Sequence, residues 1–579
     1  MNFTQVEVKR DGLAARRRRR GRASPASRLA SHRAACFDVR ALRTILVPFV
    51  PCVRTLFYLP RPQREQPGGE MMKGDNSGQV LEAVNLLYSS SGEERRAANQ
   101  WLMDFVRTQE AWGAAHSLMA EGREEVAYFG ANMLYVKVRS EWHSLAEVVR
   151  RTEYERLWHA FTVLASSTHN TGSVASPAQA SKRLCLAIAA AASRTPGLAV
   201  QTAQMALSML VEDSLRARNA LELLAALPLE VIEEETASGS FSHGRTELRE
   251  LVRPVLDALQ VHATISADSC LGCMRALHGW LSLQVAGVSL FHLYSEHGSL
   301  LGTTLHALIA PDSPALNSAA ADALTELLSA SNSPLSPTSP PEMLAAVEKL
   351  SAQLELMSSQ LGLAGALAPR TEIDDRTLGF CRVLAAFAER AVDLVAVTTG
   401  TLLGMVELML LCAGAELRVA ELTVDFWCGL QDTPVAQRHE ALVQPLYRRL
   451  AEIFMRQCTL PSDFVSWEEE VTVDEEEFTR FRERSALEVL ESCLVILGAE
   501  FVVLLHNALG SAGSTWQVES TGNAHRSLFA VLLVYDRKER NGCSRHGVYA
   551  DNVPCLLTQH LQSRLPALSW STAHSATCI

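Results

Sequence analysis

EERRAANQWLMDFVRTQEAW, Glu93 to Trp112, sets Ala98, Trp101, Leu102 and Phe105 three and four residues apart. That is the spacing of one apolar face of an α-helix. Eleven residues separate Trp101 from Trp112, about three helical turns, so one helix running through both would place them on one side. No nucleophile, metal ligand or phosphate loop accompanies them. The stretch therefore predicts that both tryptophans fill a core between successive helical units.

The same period extends outward. Leu81, Val84, Leu87 and Tyr88 precede it, and Val126, Phe129, Met133 and Val136 follow. Helical blocks alternate with short breakers, SSSG (89–92), TPG (195–197) and CAGAE (412–416). No alternation of strand and helix appears. Helix pairs recurring about every 40 residues predict an all-α fold of stacked antiparallel hairpins, a HEAT or armadillo-like solenoid.

With 579 residues, 48% of them apolar, the chain has ample material for an elongated array. Its net charge of -11 is uneven. Residues 1–70 hold 14 Arg and one Lys against five acids, so the remainder carries about -21. An acidic body favours basic partners and disfavours nucleic-acid phosphates. Thirteen scattered cysteines suit a reducing compartment. ILVPFVPCVRTLFYL (45–59) is short and holds two prolines and an arginine, so membrane insertion is not expected.

Four segments stand apart. Residues 1–75 are basic and aperiodic and read as a disordered extension, with RRRRRGR (16–22) resembling a localisation signal and the whole loosely fitting a transit peptide. Met71 and Met72 offer alternative starts. SNSPLSPTSPPEM (331–343) is a loop whose Ser-Pro pairs at Ser333, Ser336 and Ser339 are candidate phosphorylation sites. Between 466 and 484, Glu468, Glu469, Glu470, Asp474, Glu475, Glu476 and Glu477 form an acidic run suited to a basic partner or to a helix start. VVLLHNALGSAG begins like a helix, but 502–579 keeps no periodic stripe and reads as a poorly ordered tail.

A search for chemistry finds no phosphate-binding glycine motif, HExxH or GxSxG. Cys270 and Cys273 form one CxxC without a partner pair, more consistent with two ordinary cysteines at a helix start than with zinc or redox work. The 17 histidines show no ligand spacing, and His143 and His159 read as surface or seam residues. Neither catalysis nor a cofactor or metal is expected.

The block 76–112, with SGEERRAANQWLMDF and then Gln109, Ala111 and Trp112, resembles the N-terminal domain of importin-β-type transport receptors. EEVAYFGANMLYVKVRSEW (124–142), ALELLAALPLEVIEEE (220–235), GRTELRELV (244–252), CMRALHGWLSL (273–283), ELMLLCAGAELRVAELTVDFWCGL (407–430) and DEEEFTRFRER (474–484) follow in the order of the transportin-SR and importin-13 branch. The resemblance spans 76–501. It divides the chain into Ran-facing repeats at 76–142 and a further solenoid at 143–501. It implies a shuttling receptor that carries cargo with basic or Arg/Ser-rich signals, meets nucleoporins at the nuclear pore, and exchanges cargo for Ran-GTP.

Within the family's Ran-facing pattern, Phe129, Asn132 and Lys137 are the candidate contacts. Lys137 matches, Asn132 stands where the family has Gln, and Tyr135 where it has a basic residue. Family members run to about twice the matched span, so the resemblance also implies a truncated receptor that keeps its Ran-binding arch and is impaired in cargo grip. A concave negative face for cationic guests is expected. Two other readings compete: a static helical-repeat scaffold indifferent to Ran, and an enzyme built on Cys270 and Cys273.

Overall fold

The computed structural model describes residues 76–511, apart from 90–91, 122, 168–177, 213, 240–242, 285–287, 330–334, 369–371, 398–399, 460–463, 465 and 468–473. The basic extension 1–75, the segment 512–579, Ser333, Glu468, Glu469 and Glu470 lie outside the described residues.

Helices of ten residues or more begin with α1 (Asn76–Ser89), α2 (Gly92–Phe105), α3 (Glu110–Met119), α4 (Glu124–Glu141), α5 (Glu147–Ser167) and α6 (Ala178–Ser193). Next come α7 (Leu198–Glu212), α8 (Ser214–Ser238), α9 (Val252–His262), α10 (Ala267–Ser282), α11 (Gly298–Leu308) and α12 (Pro314–Ser329). The series closes with α13 (Pro341–Leu361), α14 (Asp375–Arg390), α15 (Leu403–Ala413), α16 (Gln444–Gln457), α17 (Leu487–Leu497) and α18 (Ala499–Ser511). No strand occurs among the described residues, and no described helix is long and apolar enough to cross a membrane.

The helices form two alternating layers. In one layer α4, α6, α8, α10, α12 and α14 pack each against the next. In the other, α3, α5, α7, α9 and α11 each pack on the helix that follows in sequence. This is a solenoid of helical hairpins, as the periodicity predicts. The breakers fall where expected: α1 ends at Ser89, α6 at Ser193 and α15 at Ala413. The repeat is less regular than forty residues, because the stacked helices start at 124, 178, 214, 267, 314 and 375.

Close packing of these helices, within the layer and between layers, depends on small residues. A Cβ on Gly279 of α10 would lie 2.8 Å from the Ala225 carbonyl oxygen of α8, and one on Gly130 of α4 would lie 2.7 Å from that of Ala115 in α3. Neither position tolerates a side chain without moving backbone. Large aromatics fill the wider gaps. Trp280 is buried and donates its indole N–H to the Leu224 carbonyl at 2.9 Å, so burial leaves no orphan donor.

The two tryptophans of the opening stretch part company. The chain turns between α2 and α3, so no single helix holds both. Trp112 is 6% exposed and packs with its ring centroid 6.5 Å from that of Trp142. Trp101 is 38% exposed and stacks on Phe105 at 5.2 Å. Only Trp112 is core. The far end differs too: α18 runs to Ser511, beyond the expected limit of the solenoid at 501, because Phe501 and Leu505 are still buried. Residues 142–143 lie inside a short 3-10 turn, Trp142–Ser144, and α4 and α6 pack across it.

Candidate functional site

The candidate Ran-facing helix α4 is apolar around most of its girth because it lies between α3 and α6. Phe129 is buried in this packing. Lys137 is wholly buried as well. Its Nζ donates to the Thr108 carbonyl at 2.8 Å and to Glu141 Oε1 at 2.5 Å, and stands 5.8 Å from the centre of the Trp112 ring. Thr108 lies in the turn after α2, so the ammonium ties that turn to α4. The lysine is a structural cation in this conformation, and its charge is spent within the fold. Of the three candidates only Asn132 is partly open to solvent.

Sequence reasoning missed what sits beside them. Tyr135 donates its hydroxyl to Glu230 Oε1 at 2.8 Å, and Arg139 Nη1 donates to the Tyr135 oxygen at 2.8 Å. Arg139 also pairs with Glu233. From the end of α6, Arg194 reaches Glu234 at 2.7 Å, lies 3.8 Å from Glu230, and donates to the Ala190 carbonyl at 2.9 Å. His143 Nε2 meets Glu234 at 3.0 Å, and Arg245 meets Glu235 at 3.0 Å. The run VIEEE on α8 thus faces a comparable set of bases from α4 and from the segments that follow α4, α6 and α8. The signal in sequence was the pairing of Tyr135 with a distant carboxylate, which no local pattern reveals.

Glu230 is the deepest member, 3% exposed. Burial raises its carboxyl from 4.5 to about 7, the Tyr135 hydrogen bond lowers it, Glu233 raises it, and Arg139 and Arg194 lower it. Desolvation prevails because a buried carboxylate loses more hydration than two flanking guanidinium groups return. Burial also raises the Tyr135 phenol, with Glu230 adding to the effect.

Further along the stacked layer a pocket of about 80 Å³ is lined by Lys182, Arg218, Arg275, Glu222 and Asp268. Arg275 pairs with Glu222 at 3.0 Å and Lys182 lies 3.5 Å from the same carboxylate. Arg382 pairs with Asp322 at 2.9 Å on the next two helices. This part of the layer carries mixed charge.

The acidic run divides likewise. Asp474 caps the short helix Glu475–Arg480, its carboxylate accepting from the Glu477 amide at 2.8 Å. Glu475 and Glu476 are exposed and available to a partner, whereas Glu477 is half-buried. In the Ser-Pro loop, Ser336 and Ser339 are half-buried, with the Ser336 amide donating to Ser339 Oγ at 3.0 Å. Cys270 and Cys273 are free thiols in the first turns of α10. Burial pushes the Cys273 thiol up to about 12, the opposite of an activated thiolate. His143 and His159 are both exposed.

Comparison with known proteins gives consistent matches. The model of the Transportin-3/Importin-13 second TPR domain matches residues 372–456. This span includes Phe426 and Trp427, both fully buried and in edge-to-face contact at 4.7 Å. Importin-13 of Bos taurus and importin-13 of Homo sapiens are each 25% identical over 457 residues, covering 73% of this chain and 44% of theirs. Transportin MOS14 of Arabidopsis thaliana is 23% identical over 488 residues, 78% of this chain and 46% of its own. The chain therefore spans less than half the length of these relatives. A solved structure of importin-13 in its cytosolic state superposes with a TM-score of 0.52 at 16% identity, covering 77% of this chain and 50% of that one.

Proposed function

Because the chain belongs to the importin-13-like branch of the importin-β superfamily, we propose that it acts as a nuclear transport receptor. In this reading it binds Ran in the GTP form, engages protein cargo with basic or Arg/Ser-rich signals, and shuttles between cytoplasm and nucleus past nucleoporins. It does so by surface complementarity, without catalysis. The observation that supports the reading most is the uninterrupted stack from α4 to α14, with the matched segment 372–456 continuing it.

Asn132, partly open to solvent, is the candidate for a Ran contact on α4, while Phe129 and Lys137 hold that helix in place. Glu475 and Glu476 are the carboxylates offered to basic groups of a partner. Attraction between such exposed charges speeds encounter and weakens with salt. Phosphate on Ser336 or Ser339 would add negative charge where the loop enters α13.

The test is a pull-down of the full chain with Ran loaded with a non-hydrolysable GTP analogue or with GDP. A receptor captures the GTP form in clear preference. Equal capture of both forms, or of neither, defeats the proposal, and equal capture points instead to a scaffold.

A further inference from the structure

We propose that His292, Glu296 and His297 form a binding site for one divalent transition-metal ion, of which zinc suits the donors best. His292 and Glu296 lie one turn apart on the short helix Leu290–Glu296, and His297 follows directly at the junction with α11. One ligand atom from each residue lies within 4.8 Å of the other two. His292 Nδ1 and Glu296 Oε1 are already 3.4 Å apart. Ligands of a tetrahedral zinc stand about 3.3 Å from one another, so only His297 must close in.

The state of His297 carries the argument. It is 3% exposed, yet neither ring nitrogen has a hydrogen-bond partner. Burying an imidazole with neither ring nitrogen hydrogen-bonded is costly. The residue also occupies the N-cap of α11, where Ser, Thr, Asn or Asp is favoured, and its side chain makes no capping bond. It therefore serves neither core packing nor capping well. A metal ion would satisfy a ring nitrogen and give that burial a purpose.

Two neighbours on α9 complete the surroundings. Asp257 Oδ1 lies 3.7 Å from His297 Nδ1 on a largely exposed side chain that is free to swing in as a fourth ligand. Arg253 Nη2 donates to Glu296 at 2.8 Å, orienting the carboxylate while leaving an oxygen lone pair for the ion. Two imidazoles with one or two carboxylates form a donor set typical of zinc and unlike the all-oxygen shells of calcium or magnesium. An ion bound to Asp257 and His297 together would clip α9 to the start of α11, joining neighbouring hairpins.

The experiment titrates the metal-free full chain with Co(II), then with Zn(II). The expected result is one equivalent bound, with the intense visible absorption of four-coordinate Co(II), abolished when Zn(II) displaces it. His292→Ala and Glu296→Gln, which alter half-buried and exposed side chains, should each weaken binding at least about tenfold. Both should leave the helical circular dichroism of the metal-free chain unchanged. Absence of stoichiometric binding by the folded wild-type chain overturns the proposal. So does binding that both variants retain at full affinity, which would place the ion elsewhere, for example on cysteines.

Discussion

The Tyr135 hydroxyl meets the Glu230 carboxylate at 2.8 Å although 95 residues separate them in sequence. This bond joins α4 to α8 across α6 and places a carboxyl that titrates near neutrality inside the stack. A raised carboxyl favours the folded state while it holds its proton. That contribution is complete below pH 4.5 and is lost as pH rises through about 7. Glu230→Gln mimics the protonated form. Between pH 5 and 8 the wild-type chain should therefore lose roughly 2–3 kcal/mol relative to this variant. Urea denaturation of both chains at the two pH values checks it, and a constant difference contradicts the assigned environment.

Lys137→Met tests whether the buried lysine is structural. Removing the ammonium orphans the Thr108 carbonyl and leaves Glu141 without its cation. The expected cost is about 1–3 kcal/mol in denaturant unfolding. If the chain binds Ran-GTP as proposed, the affinity of the folded variant should remain within about twofold of wild type, because the side chain offers nothing to a partner. A large loss of Ran affinity at unchanged stability would restore Lys137 as a contact.

Trp112→Ala and Trp101→Ala should differ sharply. The first opens a cavity beside Trp142 and Lys137 and should cost about 3–5 kcal/mol. The second removes an exposed ring stacked on Phe105 and should cost about 0.5–1.5 kcal/mol. Thermal unfolding of the two variants side by side decides the matter.

Gly279→Ala forces a methyl against the Ala225 carbonyl oxygen and should destabilise by about 1–3 kcal/mol. Gly302, inside α11, has open space at the same position, so Gly302→Ala should stabilise by about 0.5–1 kcal/mol. Opposite shifts in melting temperature are expected.

The architecture was legible because helical period survives in a single sequence: breakers, helix lengths and the all-α class all follow from local spacing. What failed depended on distance. Spacing alone puts the two tryptophans on one face because nothing in VRTQE announces a turn, and the turn is secured by Lys137 from a later helix. The electrostatic cluster around Glu230 joins α4, α6 and α8, and no spacing rule links residues 135, 194 and 230. His292, Glu296 and His297 give no signal in sequence because the histidines are five positions apart, whereas one uninterrupted helix favours three or four. A break between two helices brings them together.

Gly279, seated against the Ala225 carbonyl, shows how local the cohesion of such a stack is. Each helix holds only its neighbours, as coins in a column do, and among the described residues no strand returns to bind one end to the other. Loosening that single seam should divide melting into two events, with residues before and after it unravelling on separate schedules while each part keeps its helices.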